Sequence, residues 1–131
     1  METVRCYYDA MRHTSADELA DLYAEDAVHE FPFRMAGMPA ALHGREEVRA
    51  AYTASWGSTP FRVADVVDIV VRRTDDPEVV VCEHIVVGEV AGRPFTIPGL
   101  LVLRIRDGLI VHNRDYMDAT SVARMREAAA A

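Results

Sequence analysis

Residues 93–118, RPFTIPGLLVLRIRDGLIVHNRDYMD, contain two apolar β-type runs joined at Asp107-Gly108. An Asp-Gly pair between such runs is a strong signal for a two-residue hairpin, because both turn positions need positive φ. In the second run Leu109, Val111, Asn113, Asp115 and Met117 share one face, and Ile110, His112, Arg114 and Tyr116 share the other. Working back, EVVVCEHIVVGEV (78–90) ends at Ala91-Gly92, and FRVADVVDIVVRR (61–73) ends at the turn signal T-D-D-P. Several of these strands are apolar at both parities, with Phe95, Ile97, Leu101 and Leu103 on one face and Leu100 and Val102 on the other. Such a sheet needs covering twice, by its own helices and by a second body. A homodimer through the outer sheet face is the simplest second cover.

Upstream of the strands the pattern is helical. Val4, Tyr7, Tyr8 and Met11 fall at i, i+3, i+4, i+7. A second helix begins at Ser15, with Glu18 completing a capping box and Leu19, Leu22 and Tyr23 forming its stripe. AVHEFPF (27–33) is a short β-type segment that places His29, Phe31 and Phe33 on one face. The Gly/Pro-bearing loop RMAGMPAALHG, with Met35 and Met38, leads into a third helix from Arg45 that carries Tyr52 and Trp56. The tail from 119 to 131 reads as a helix. Helices followed by antiparallel strands make an α+β fold, and 131 residues make one domain.

Composition narrows the function. The net charge of −7 argues against nucleic acid or an anionic membrane as partner. All 14 basic residues are arginine, so lysine Schiff-base chemistry and a Walker-type phosphate loop are excluded. Cys6 and Cys82 form no close motif, and the N-terminus has no apolar leader, which together point to a reducing, cytoplasmic setting. The five histidines show no metal-ligand spacing, so no metal and no cofactor is expected.

LADLYAEDAVHEFPF, LHGREEVRAAY and RDGLIVHNRDYMD together resemble the SnoaL-like, ketosteroid isomerase-like branch of the nuclear transport factor 2-like superfamily. The resemblance runs from about Tyr7 to Asp118. It implies a conical α+β barrel, with three N-terminal helices packed on a strongly curved, mainly antiparallel sheet over a deep pocket. One fold of this kind hosts many chemistries.

Within the resemblance, R-D-Y-M-D is similar to R-D-Y-F-D of limonene-1,2-epoxide hydrolase, which makes Asp115 the matching base. A carboxyl lodged in an apolar wall is moved towards the working range of a base. Across the sheet, His84 matches the hydrolase's aspartate and Cys82 its arginine; a two-residue gap instead puts His84 at the arginine. Either register keeps His84, Cys82 and Val86 on the inner face, with His84 beside the carboxylate. His29 falls at a water-holding tyrosine of the hydrolase. Phe31 falls at a water-holding asparagine, and at the proton-shuttling aspartate of the isomerase. Phenylalanine can do neither job. Tyr7 matches the isomerase's oxyanion-hole tyrosine, while that hole's acid falls near Leu101; Tyr7 is half of an oxyanion hole or a core tyrosine.

The expected catalytic set is therefore Asp115, His84, His29 and Tyr7, and the expected binding surface is Phe31, Phe33, Trp56, Cys82, Val86, Val111, Asn113 and Met117. That set fits acid–base catalysis on a hydrophobic, oxygenated molecule such as a polyketide or terpenoid intermediate: isomerisation, aldol-type cyclisation or dehydration. The alternatives are epoxide hydrolysis or opening, and a non-catalytic dimeric binder of small ligands.

Overall fold

Ser15 starts the second helix as read: its hydroxyl accepts the Glu18 backbone N–H at 3.1 Å. In the computed structural model, which describes residues 1–58 and 60–130, the elements are α1 (Glu2–His13), α2 (Ala16–Ala20), β1 (Tyr23–Glu30), β2 (Ala41–His43), α3 (Arg45–Ser58), β3 (Phe61–Arg73), β4 (Val79–Val90), β5 (Arg93–Arg106), β6 (Leu109–Met117) and α4 (Ala119–Ala130). Asp107 and Gly108 sit at φ 52° and 79°, both positive, as the two-residue hairpin between β5 and β6 requires.

The six strands form one sheet in the order β2-β1-β6-β5-β4-β3. β1 runs parallel to β6, and every other pairing is antiparallel. The two edge strands do not pair with each other, so the curved sheet stays unclosed. Helices fill its concave side, where Val4, Tyr7, Tyr8, Leu19 and Val48 join Val66, Cys82, Leu101, Leu103 and Ile110 in one core. Arg12 ties α1 to β3 by donating to Asp65 and to the Val66 carbonyl, each at 2.9 Å. Asp118 accepts from Ser121 and Thr120 at the start of α4.

Four readings from the sequence are corrected. Tyr23 belongs to β1 and not to the second helix: the Ile110 N–H takes the Leu22 carbonyl at 2.8 Å, drawing the chain into the sheet right after α2. β1 ends at Glu30, short of Phe33, because Pro32 has no N–H for a ladder and the Phe31 N–H goes to Ala40 of the loop. Phe33 consequently turns away from the pocket; it is 57% exposed and packs edge-on against Tyr116 on the outer face. Near the start of β6 the register slips, Arg104 facing His112 but Ile105 facing Ile110, so Ile110 and not Val111 points into the core.

Leu103, fully buried, should cost about 2–5 kcal/mol when replaced by alanine. Phe33→Ala, on the outer face, should cost less than about 0.5 kcal/mol. Urea unfolding of the two variants measures both.

Candidate active site

The strand registers bring the inner face together in rows. Cys82 on β4 faces Leu101 on β5, which faces Asp115 on β6; one row further, His84, Gly99 and Met117 align. Against these rows lies a cavity of about 370 Å³. Its walls are largely apolar, with Phe31, Trp56, Val86, Leu101 and Met117 prominent, and its titratable side chains are Tyr7, Tyr52, His84, Asp115 and Arg126.

Asp115 is 7% exposed, and one carboxylate oxygen lies 3.0 Å from His29 Nε2. His29 is wholly buried and forms no part of the cavity wall; it stands behind Asp115 as a support. Its other nitrogen, Nδ1, lies 2.7 Å from the Tyr23 hydroxyl. Asn113 Nδ2 donates to the Tyr23 hydroxyl at 2.9 Å and to the Tyr7 hydroxyl at 3.1 Å. A chain of buried polar groups thus runs from Tyr7 on α1, through Asn113, Tyr23 and His29, to Asp115.

Direction follows from what each group can donate. The amide N–H groups occupy an acceptor site on each tyrosine, so both hydroxyl hydrogens must go elsewhere. Tyr23 gives its hydrogen to His29 Nδ1, which leaves the His29 hydrogen on Nε2, aimed at Asp115. Tyr7 lines the cavity, and its hydroxyl is also in hydrogen-bond contact with that of Tyr23. Burial, reinforced by the neighbouring Tyr23, Tyr52 and Asp115, pushes the Tyr7 hydroxyl well above its ordinary value, so it stays a donor. Asn113 Oδ1 is buried without a hydrogen-bond partner among the described residues.

His84 lies on the same wall but has a different partner from the one expected. Its Nδ1 is 2.9 Å from the Tyr8 hydroxyl, whereas the imidazole bonded to Asp115 is His29. The reason is register: His84 sits one row beyond Asp115, while β1, running parallel beside β6, places His29 opposite Asn113 and next to Asp115. Burial lowers the His84 pKa, with Asp115 opposing the shift. Burial also holds Tyr8 far up, so its hydroxyl keeps its hydrogen between His84 Nδ1 and the Cys82 thiol. Nε2 lies over Gly99, where an added Cβ would come within 2.7 Å of it. Cys82 sits under this pair, outside the cavity lining, its thiol pushed up to about 11 by burial and eased down by Tyr8.

Of the residues expected at the site, Asp115, His84, Tyr7, Phe31, Trp56, Val86 and Met117 line the cavity. His29, Asn113 and Cys82 stand behind it, and Phe33 is on the other face. Sequence reading missed Tyr8, Tyr23 and Tyr52 as polar members. Tyr52 packs against Trp56 at 4.8 Å and against His29 at 5.8 Å, and its hydroxyl is raised well above its ordinary value by burial and by Asp115. The available signal was that a buried tyrosine needs a partner for its hydroxyl. No group of three or more His, Cys, Asp or Glu side chains placed to hold a metal occurs among the described residues. No helix among them is long and apolar enough to cross a membrane.

The family model for the SnoaL-like domain matches residues 4–113. The chain belongs to the SnoaL-like domain family. A candidate isomerase from Bacillus subtilis superposes with a TM-score of 0.87 at 26% identity, covering 97% of this chain and 91% of its own. A ketosteroid isomerase-like fold protein from Catenulispora acidiphila, solved with trimethylamine, gives 0.76 at 25% identity over 95% and 91% of the two chains. A candidate polyketide cyclase from Xanthomonas campestris gives 0.75 at 23% over 95% and 93%, a likeness of fold. No curated protein matches the chain.

The lowered His84 pKa fixes a pH response. Between the folded and unfolded values the unfolded chain binds more protons, so stability is full above the ordinary histidine value and falls as pH drops below it. Denaturant unfolding across that range should show the parent losing stability with acidification, and His84→Gln losing less.

Proposed function

We propose that this protein catalyses cofactor-independent proton transfer on an apolar, oxygenated small molecule, a reaction of the isomerase or cyclase kind. The observation that carries the reading is the Asp115 carboxylate on the wall of an apolar cavity, with one oxygen bonded to the buried His29. The candidate isomerase and candidate polyketide cyclase among the structural relatives support it.

The second Asp115 oxygen is the base. It takes a proton from a carbon next to a substrate carbonyl, and the electron pair moves onto the carbonyl oxygen. Tyr7 O–H, on turning from Tyr23 to the substrate, and His84 Nε2–H, on the same cavity, supply hydrogen bonds to that developing oxyanion. Returning the proton to a different carbon gives an isomer; attack of the enolate on a second carbonyl gives a ring. His29 keeps the carboxylate oriented throughout, and Tyr8 keeps His84 in the tautomer that donates. Phe31 packs on His29 with ring centroids 4.8 Å apart, adding apolar wall where water would otherwise gather.

Simple ketones can stand in for the natural substrate in the test. In heavy water, the protein should speed deuterium exchange at carbons next to the carbonyl of apolar cyclic ketones, followed by proton NMR. Asp115→Asn should slow that exchange by about 100-fold or more. Equal exchange by the two proteins would overturn the assignment. Oxygen from labelled water appearing in a diol product would instead indicate epoxide hydrolysis.

The same reading has the protein working as a homodimer. Ile85, Leu100 and Val102 lie on the outer sheet face, only partly buried within one chain, and Val70, paired with Glu83, is 40% exposed nearby. A second copy covers this surface most simply, with the Arg72–Glu83 ion pair at its margin. Light scattering should then give twice the chain mass, and Leu100→Arg should give the monomer. A monomeric parent at micromolar concentration would refute the dimer without touching the chemistry.

A further inference from the structure

Resting on the cavity being the substrate site, a second charge at its other end specifies what kind of molecule enters. Arg126 of α4 lines the cavity and is its one positively charged arginine; the acidic group, Asp115, is on the buried sheet wall. The residues that share Arg126's end of the cavity include Gly37, Met38 and Pro39 of the 31–40 loop, with Gly37, Pro39 and Arg126 exposed. That end is the mouth.

Arg126 is fixed in place. One terminal nitrogen, Nη1, donates to the Ala36 carbonyl, so the guanidinium is clipped to the loop. Among the described residues no carboxylate pairs with it, in contrast to Arg49, Arg104 and Arg106, which are each engaged by acidic side chains. Its Nη2 and Nε donors have no partner among the described residues. Beside Nη1, Gly37 has no side chain, and even an added Cβ there would stand 3.8 Å away. A fork of free donors at the rim of an apolar cavity matches a planar carboxylate or a sulfonate.

We infer that the ligand is an amphiphile: an apolar, oxygenated body that occupies the cavity and an anionic group, a carboxylate class, that stays at the mouth on Arg126. The two charges act together. Asp115 repels an anionic end from the deep wall and Arg126 attracts it at the rim, so the ligand enters in one orientation, with its uncharged end towards the base. On a chain of net charge −7, a cation at the entrance also offsets the general repulsion an anionic ligand would meet.

A matched pair of dyes tests this: anilinonaphthalene sulfonate, and N-phenylnaphthylamine, which has the same rings without the sulfonate. Fluorescence titration should show each displacing the other from the parent protein. Arg126→Gln should weaken the sulfonate dye by about fivefold and leave the neutral dye within about twofold. The fivefold difference should shrink in about 1 M salt, where the screening length is near 3 Å. Equal losses for both dyes would mean that Arg126 only clips the loop, and no loss for either would mean that it does not reach the ligand; both overturn the inference. Neither dye binding the parent would remove the cavity as a ligand site, and the inference with it. Deuterium exchange into neutral ketones that depends on Asp115, together with equal losses of the two dyes in Arg126→Gln, leaves the proton-transfer reading standing while this one fails.

Discussion

A carboxylate taken out of water must be given hydrogen-bond donors or it destabilises the fold that buries it, and the Asp115–His29 contact meets that demand here. Losing one partner of such a buried pair typically costs about 3–5 kcal/mol, comparable with much of a small domain's net stability. The requirement propagates outwards. His29 is held by Tyr23, Tyr23 by Asn113, and Asn113 by Tyr7, so one chain of polar contacts joins α1, β1 and β6. Packing and chemistry are therefore served by the same atoms. A change made anywhere along that chain acts on Asp115 by altering what holds His29.

The parallel neighbour relation of β1 and β6 makes this possible. Antiparallel hairpins set the order β3-β4-β5-β6, and their register carries His84 to a row beyond Asp115. Only the return of the early strand beside the last one puts a second imidazole in line with the carboxylate. The two histidines then have separate partners. His29, without solvent contact, is bonded to Asp115; His84, on the cavity wall, is bonded to Tyr8.

Much of this is legible in the residue pattern. The Asp107-Gly108 turn, the Ser15 N-cap and the period-two runs from 61 to 118 state the elements directly, because each depends on local backbone preference; the Glu18 half of the capping box does not form, its carboxylate going to His13. Parity alone places Asp115 and His84 on the inner face. What parity cannot carry is any step that crosses an irregularity. Pro32 stops β1 and sends Phe33 outwards, and the slip between Arg104 and Ile105 exchanges Ile110 for Val111. The partner of Asp115 is likewise hidden, since it depends on pairing between strands about eighty residues apart in the chain. The tyrosine hydroxyls are hidden for a different reason: Tyr7, Tyr8, Tyr23 and Tyr52 fit an apolar stripe as well as a polar network, and the stripe is the commoner use.

Within the SnoaL-like family, the polar groups are what set the chemistry, because the curved sheet itself favours no particular reaction. Here they are few and convergent, and with Asn113 Nδ2 donating to Tyr7 and Tyr23 the hydrogens run through Tyr23 and His29 towards Asp115. The most direct measurement is the protonation pattern of the His29 ring by nitrogen NMR of the histidine-labelled protein. The expected pattern is a single ring hydrogen on Nε2, with Nδ1 accepting from Tyr23. A hydrogen on Nδ1, alone or together with Nε2, would contradict it.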